Sequence, residues 1–293
     1  MHILFYTHPL NYGSKRVIQA MSEGLKRHGE TSQVLSQEEV NADDIQRADA
    51  VFVHNVIYCK ESIETCRRLG VHFIYYDKGY FGRAWNTTDR PDATVRFCVN
   101  GFHPHEYLQE IKRPADRWNA LEIELKPRHH GDAVVFAGCS QGFADWYHFN
   151  IHDYAVKTAA EIRRFSDRPI VYRPKKSFVV PQPITGTTFS HMKYKIEEEL
   201  QNAHALVTFA SNASVDAILH GVPAFVLGPA AALPVSNTYL SQLESPYFPT
   251  DAERYQWACN LAYCQWQYSE MSNGLAWQNL KEILGRFHEA SRT

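Results

Sequence analysis

Apolar residues along the chain fall in short continuous runs, separated by stretches with helical spacing. His2–Thr7 is the first run and reads as a buried strand. In Ser14–Arg27 the apolar positions Val17, Ile18, Met21 and Leu25 share one helical face. Thr31–Leu35 and Ala50–His54 read as strands, and Ser62–Leu69 as a helix that stops at Gly70. Val71–Tyr76 is an apolar run ahead of Asp77-Lys78-Gly79, and Val95–Val99 is a further strand. Strands alternating with short helices predict right-handed crossovers and a mostly parallel sheet.

The pattern breaks over residues 113–132, where Arg113-Pro114, Lys126-Pro127, Arg128-His129-His130 and Gly131-Asp132 accumulate, and then restarts. Ala133–Gly138 is a strand, Tyr154–Phe165 a helix, and Pro169–Tyr172 a strand. A loop rich in Pro, Gly and Thr spans 177–189. His191–Asn202 reads as a helix, Ala205–Phe209 as a strand, Asn212–Leu219 as a helix stopped by Gly221, and Pro223–Leu227 as a strand. From Asp251 onward the spacing of Trp257, Leu261, Trp266, Trp277, Leu280 and Leu284 is helical. The expected division is a first α/β domain over 1–128, a second over 129–275, and a final helix over 276–293. No repeat of 20–50 residues occurs.

Composition narrows the picture. Apolar residues make up 44% and charged residues 21% of 293, enough for two packed cores and against disorder. Thirty basic against 32 acidic residues leave a formal charge of -2, which excludes a broadly cationic nucleic-acid binder but not a local basic cleft. No apolar run reaches the roughly 20 residues of a membrane span, and Met1–Tyr6 lacks a basic lead, so a cytoplasmic protein without membrane contact is expected. The six cysteines show neither a CxxC pair nor zinc spacing, as expected of buried, reduced thiols.

Several strand ends carry candidate chemistry. After the strand at 205–209, Ser211, Asn212, Ala213 and Ser214 open a helix, with Asp216 one turn in and Gly221-Val222-Pro223 beyond. Unpaired amides and hydroxyls there suit an anion such as a diphosphate, and Asp216 suits ribose hydroxyls. The same residues serve equally well as an N-cap and a dipole partner. Arg173-Pro174-Lys175-Lys176 closes the preceding strand with fixed cations, and Gly138-Cys139-Ser140-Gln141-Gly142 follows the strand at 133–138. Glycine there allows a ligand close to the backbone, although neither GxGxxG nor a Walker lysine is present. In the first half, His8, Asn11 and Gly13 lie in the first strand-to-helix loop. Asp77, Lys78 and Arg83 follow the run at 71–76, and His103 sits in Asn100-Gly101-Phe102-His103-Pro104. No Asp-x-Asp pair occurs and no His, Asp or Glu cluster has metal-ligand spacing.

Over roughly 133–280 these motifs resemble the C-terminal domain of GT-B glycosyltransferases, in particular the capsule-polysaccharide type and glycosyltransferase-like proteins of phages. The carrying residues are the Ser211–Ser214 turn, Asp216 where many members have Glu, Ala217-Ile218-Leu219-His220-Gly221-Val222-Pro223, and the basic strand end, where Lys175-Lys176 replaces His-Pro. Asp77-Lys78-Gly79-Tyr80 is similar to the acidic-x-Gly-aromatic turn of the capsule type, and Leu261-Ala262-Tyr263-Cys264-Gln265-Trp266 to a stretch near its C-terminal helices. By itself that aromatic stretch reads as core packing.

The resemblance implies two Rossmann-like domains facing a cleft, with the C-terminal helix crossing back onto the first. It implies a metal-independent glycosyltransferase whose donor, a UDP-sugar, binds Arg173, Lys175, Ser211, Asn212, Ser214, Asp216, Gly138 and Ser140. Asp77 is then the base for the acceptor hydroxyl, with His103 and Asp89 in reserve, and His8, Asn11, Gly13, Lys78 and Arg83 line the acceptor side. The phage likeness points to a hydroxymethylpyrimidine in DNA as acceptor. Lys78, Arg83, Arg90 and Arg96 would meet phosphates, and Tyr80, Phe81, Trp85 and Phe102 a displaced base. A surface polysaccharide is the alternative acceptor, and a non-catalytic nucleotide- or sugar-binding protein the alternative function. No obligate protein partner is implied.

Overall fold

The structure is a computed structural model that describes residues 1–7, 12–81, 93–175, 180–190 and 194–290. The chain forms two compact units, one from Met1–Pro104 with Leu261–Thr293 and one from His105–Asn260.

The first unit opens with β1 (His2–Thr7), α1 (Tyr12–Arg27), β2 (Thr31–Ser36), α2 (Ala42–Gln46), β3 (Ala50–His54) and α3 (Lys60–Leu69). β4 (His72–Lys78) and β5 (Thr94–Val99) follow. α3 ends where Gly70 adopts φ 69°, the left-handed conformation that glycine takes without a Cβ clash. The second unit holds α4 (Asp116–Asn119), β6 (Ala133–Ala137), α5 (Gln141–Trp146), α6 (Ile151–Phe165), β7 (Ile170–Arg173) and β8 (Thr188–Phe189). It continues with α7 (Ile196–Leu200), β9 (Ala203–Thr208), α8 (Ala213–Leu219), β10 (Ala224–Val226) and α9 (Asp251–Ala262). The chain then returns to the first unit as β11 (Gln265–Gln267), α10 (Tyr268–Ser272) and α11 (Leu275–Ala290).

The first sheet has the order β11-β5-β4-β3-β1-β2 and the second β10-β9-β6-β7-β8. The second is parallel throughout. In the first, β1 to β4 are parallel, but β5 runs antiparallel to β4 and β11 antiparallel to β5. The sheet is therefore mostly parallel, as the alternation predicts, with an antiparallel edge at β5 and β11. The segment Gly79–Ala93 has no amphipathic period to cover a crossover, so β5 returns directly beside β4. Pairing with β5 also carries β4 through Asp77 and Lys78, which the sequence placed in a turn.

Three further elements differ from the sequence reading. β11 interrupts the helical run after Asp251. Thr188–Phe189 pairs with β7 at the end of the loop at 177–189. α7 covers only Ile196–Leu200, because the Asn202 carbonyl already accepts the amides of Asp132 and Ala133 that lead into β6.

The units divide at 104/105 and 260/261 rather than at 128/129 and 275/276. The reason is hydrogen bonding. Asn260 accepts the Arg113 amide at 2.9 Å and donates to the Leu108 carbonyl at 2.9 Å. The Lys126 amide reaches the Leu219 carbonyl at 2.9 Å. Gly221, at φ 77°, lies so close to Pro127 that a Cβ would meet its carbonyl oxygen. These bonds tie 105–128 to the second unit, whereas β11 completes the first sheet.

The core of the first unit stacks Phe5 on Phe52 at 4.7 Å and sets Phe97 edge-on to Phe52 at 5.9 Å. Trp277 of α11 is fully buried there, so the C-terminal helix crosses back onto the first unit. Val134, Phe136, Ala159, Ile162, Val207 and Phe225 centre the second core. Among the described residues no helix is long and apolar enough to cross a membrane.

Candidate functional site

Two strand-end clusters carry the candidate chemistry, one in each unit. In the first unit, Asp77 lies one residue from the end of β4 and directly opposite Arg96 on β5. The two side chains share a face of the sheet, because cross-strand partners point the same way. Asp77 Oδ2 accepts from Arg96 Nη2 at 3.2 Å and from the Tyr75 hydroxyl at 3.3 Å, and Oδ1 accepts from the Lys78 amide at 2.8 Å. Its carboxylate is 35% exposed, while Arg96 is 4% exposed. Burial opposes the charge on Arg96, but Tyr80, Asp77 and Tyr75 outweigh it and raise the guanidinium further above its ordinary range. Burial likewise pushes the Tyr75 and Tyr80 phenols well up, so both stay neutral donors.

His103 is buried, and Arg96 Nη1 lies 3.2 Å from its Nδ1, with the Tyr80 hydroxyl 3.4 Å away. A guanidinium only donates, so Nδ1 is an acceptor. His103 and the Asp77 carboxylate are thus linked through Arg96. His54 ends β3 and stacks on Tyr76 at 4.8 Å. Burial lowers its pKa, against the pull of Asp77, which favours the neutral imidazole.

The loop after β4 is pinned from the returning strand. Gln265 is buried, and its Oε1 accepts the Tyr80 amide at 2.7 Å and the Phe81 amide at 2.8 Å. Gly79 packs so tightly on Thr94 and Gln265 that a Cβ there would collide with both. The aromatic stretch at 261–266 thus packs as core, and its one buried amide supports the Asp77 loop.

In the second unit the register does the gathering. Ala137 at the end of β6 pairs with Arg173 of β7 on one side and Thr208 of β9 on the other. The carboxyl ends of the three strands therefore form one rim. Gly138 donates its amide to the Arg173 carbonyl at 2.8 Å. A Cβ on Gly138 would lie 3.3 Å from Pro174 Cα and 3.4 Å from the Lys175 amide nitrogen, a close contact that leaves little room beside the rim. Lys175 is exposed and close enough to Cys139 to act on its thiol. Ser140 N-caps α5 in extended conformation without a side-chain bond to the helix amides.

The Ser211–Ser214 turn spends part of its chemistry on itself. Ser211 Oγ accepts the Ala213 amide at 3.2 Å, and the buried Ser214 hydroxyl donates to the Ser211 carbonyl at 2.8 Å. Asn212 is the N-cap of α8 and makes no side-chain bond to its amides. Asp216 is only 7% exposed, on the inner side of α8. Arg173 pairs with Glu199 of α7 at 3.0 Å and donates to the Tyr194 carbonyl at 2.8 Å. Glu199 also accepts from the Ser190 hydroxyl. Much of the guanidinium charge is thereby neutralised within the fold. A separate groove of about 620 Å³ opens at the amino end of β7, between Arg163, Arg168 and Glu244, away from this rim.

The structure thus brings Gly138, Ser140, Arg173, Lys175 and the Ser211–Asp216 turn to neighbouring strand ends, and Asp77, Lys78 and His103 to another. Gly13 falls in the first turn of α1. His8, Asn11, Arg83, Asp89 and Arg90 lie outside the described residues. The sequence reading assigned Arg96 outward to phosphates, but the side chain turns inward. One signal pointed that way, a lone charge in the otherwise uncharged Thr94–Val99 strand, which is buried throughout. Glu199 had no comparable signal, because it is one of three successive glutamates in α7. Among the described residues no group of three or more His, Cys, Asp or Glu is placed to hold a metal. All six cysteines are buried and unpaired with one another.

These features define a class: two α/β units of the GT-B type, each with polar residues at its strand ends. No protein-family model matches the chain and no curated protein matches it in sequence. Solved structures share the fold. The β-Kdo 2,4 transferase of Thermosulfurimonas dismutans KpsC superposes with a TM-score of 0.52 at 8% identity, over 88% of this chain and 90% of that one. The β-Kdo 2,7 transferase of the same KpsC gives 0.51 at 12% identity, over 96% and 100%. Both are sugar transferases, in line with the capsule-type resemblance. Neither points to the DNA-modifying phage type.

Proposed function

We propose that the protein is a glycosyltransferase that moves a sugar from a nucleotide-sugar donor to a hydroxyl of a saccharide acceptor. The observation that carries this reading is the register at Ala137, which sets Arg173 and Thr208 on either side of it and gathers Gly138, Lys175 and the Ser211–Ser214 turn at one rim. The second unit holds the donor. Lys175, Asn212 and the amides that open α8 meet the nucleotide phosphate and stabilise its charge as the bond to the sugar breaks. Arg173 contributes through its place beside Lys175 while staying paired with Glu199, and Asp216 supports the turn.

The first unit presents the base. Asp77 takes the acceptor hydroxyl proton as that oxygen bonds to the anomeric carbon, and the nucleotide phosphate leaves with the electron pair of the broken bond. A saccharide acceptor is favoured over DNA. Arg96 faces inward, and Tyr80, Phe81 and Phe102 are buried.

The test is a thermal-shift panel of UDP-glucose, UDP-N-acetylglucosamine, GDP-mannose, ADP-glucose and a CMP-linked acidic sugar, with the UDP-sugars first. A ligand that binds only the folded protein raises Tm. Whichever donor does so is then supplied radiolabelled with either an oligosaccharide mixture or hydroxymethylated DNA. Label in the saccharide supports the proposal, and label in DNA restores the phage-type reading. A Tm rise with neither transfer nor release of nucleotide makes the protein a binder without turnover.

A further inference from the structure

A guanidinium inside a fully buried strand needs partners on every side to offset its lost hydration. Arg96 has a cationic fork with two different jobs. Nη1 reaches back to His103 Nδ1 at 3.2 Å, and Nη2 reaches out to Asp77 Oδ2 at 3.2 Å. The plane lies over the Tyr80 ring at 5.1 Å and the Tyr75 ring at 5.8 Å. Each support is itself fixed. Tyr80 is held through its amide by Gln265, and Tyr75 packs edge-on against Phe102 at 4.9 Å. The inner end of the fork therefore rests on buried partners, and the outer end meets a partly exposed group. A strand-end aspartate left to itself samples several rotamers. Here the Tyr75 hydroxyl, the Lys78 amide and Arg96 select one.

We propose that Arg96 is the positioning residue of the reaction: braced on His103 and Tyr80, it holds the Asp77 carboxylate charged and in a single orientation toward the acceptor hydroxyl. It touches no substrate and acts through Asp77 alone. The inference rests on the assignment of Asp77 as base. The described titratable groups around Asp77 are Tyr75 and Lys78 on β4, His54 on β3, Cys59 beside α3 and Arg96 on β5, with His103 behind.

The test follows the Asp77 carboxyl by carbon-13 NMR through a pH titration, in wild type and in Arg96→Met, with Asp77→Asn to assign the signal. Met matches Arg in length and packs between the two tyrosine rings. Loss of the cation should move the Asp77 titration upward. In parallel, nucleotide release is measured with the panel sugar that wild type turns over, from UDP-glucose, UDP-N-acetylglucosamine, GDP-mannose, ADP-glucose and the CMP-linked sugar. Arg96→Met should lower kcat about 100-fold and leave donor KM within about threefold, because the donor rim is in the other unit. Arg96→Lys keeps the charge but reaches one partner at a time. It should recover part of kcat, and it is the variant read where Arg96→Met does not fold. An unmoved titration, or unchanged kcat, overturns the proposal, as does loss of folding in both variants, which makes Arg96 a core residue only. Full activity in Asp77→Asn overturns the base assignment instead, a result separate from the titration.

Discussion

Asp77 and Arg96 face each other across the β4–β5 antiparallel pair, with carboxylate and guanidinium 3.2 Å apart. The pair joins a partly exposed acid to a buried base. Removing the acid therefore costs more than its exposure suggests, because it leaves Arg96 charged and underpartnered inside the unit. Asp77→Ala should destabilise the protein by about 3 kcal/mol in urea unfolding. Asp77→Asn, which keeps an acceptor oxygen, should cost roughly half of that. Equal stability of Asp77→Ala and wild type would mean that the pair contributes nothing to the fold.

Gln265 stands on a strand that enters the first sheet from the far end of the chain, yet it holds the loop after Asp77. Gln265→Ala leaves two buried amides without their acceptor, at a cost of about 2–3 kcal/mol. Hydrogen exchange should accelerate at Tyr80 and Phe81 before it does in β1 or β3. Unchanged protection at these two amides would exclude the anchoring role.

Arg173 and Glu199 form a largely buried pair, 20% and 9% exposed. Arg173→Ala strands the carboxylate of Glu199 and should destabilise the protein by about 3 kcal/mol. The double variant Arg173→Ala with Glu199→Ala should recover part of that loss in thermal unfolding. Donor affinity is then best read in Lys175→Ala, an exposed position whose change should leave Tm within about 1 °C and weaken the donor about tenfold.

Glu30 should make the first unit sensitive to acid. Burial raises its pKa, but hydrogen bonds from Lys281 and the Met1 amino group, with their charges, bring it down to about 2. A carboxylate depressed in the folded state contributes stability that is complete above its ordinary pKa of 4.5 and is lost as pH falls toward about 2. Urea midpoints should therefore fall as the pH drops from 5 to 3. Glu30→Gln should flatten that slope while lowering the midpoint at pH 7. A slope identical in both proteins would assign the acid response to other carboxylates.

The cysteines should be inert in the native state. Burial pushes Cys59 and Cys66 up to about 12 and Cys139 to about 11. Thiolate is the reacting form, so an aromatic disulfide reagent at pH 8 should label less than about one thiol per chain until denaturant is added. Rapid labelling of Cys139 would show the strand-end rim beside β6 to be open to solvent.

Much of the fold is legible from local pattern. The buried runs at 2–7, 50–54, 133–137 and 203–208 are strands, and the helical faces of α1 and α6 sit where the spacing puts them. Gly70 and Gly221 end their helices because each needs a positive φ. The placement of the Ser211–Ser214 turn and of the cations after β7 at strand ends was also readable, since both follow buried strands directly.

What local pattern did not contain is pairing. The direction of β5, the return of β11 and the inward turn of Arg96 depend on which strand lies beside which, and neighbours in sequence carry no record of that. The same holds for Glu199, whose partner Arg173 is reached only after α7 has packed.

By itself, then, the sequence determined the two α/β units, the polar strand ends and the residue types available there, because side-chain period and turn chemistry act over a few residues. The tertiary structure alone decided which charges became partners: Asp77 with Arg96, Arg173 with Glu199, Gln265 with the loop at Tyr80. The physical reason is that a buried charge or amide must find its complement wherever the sheet brings one within about 3 Å, and that distance is set by strand register rather than by position along the chain.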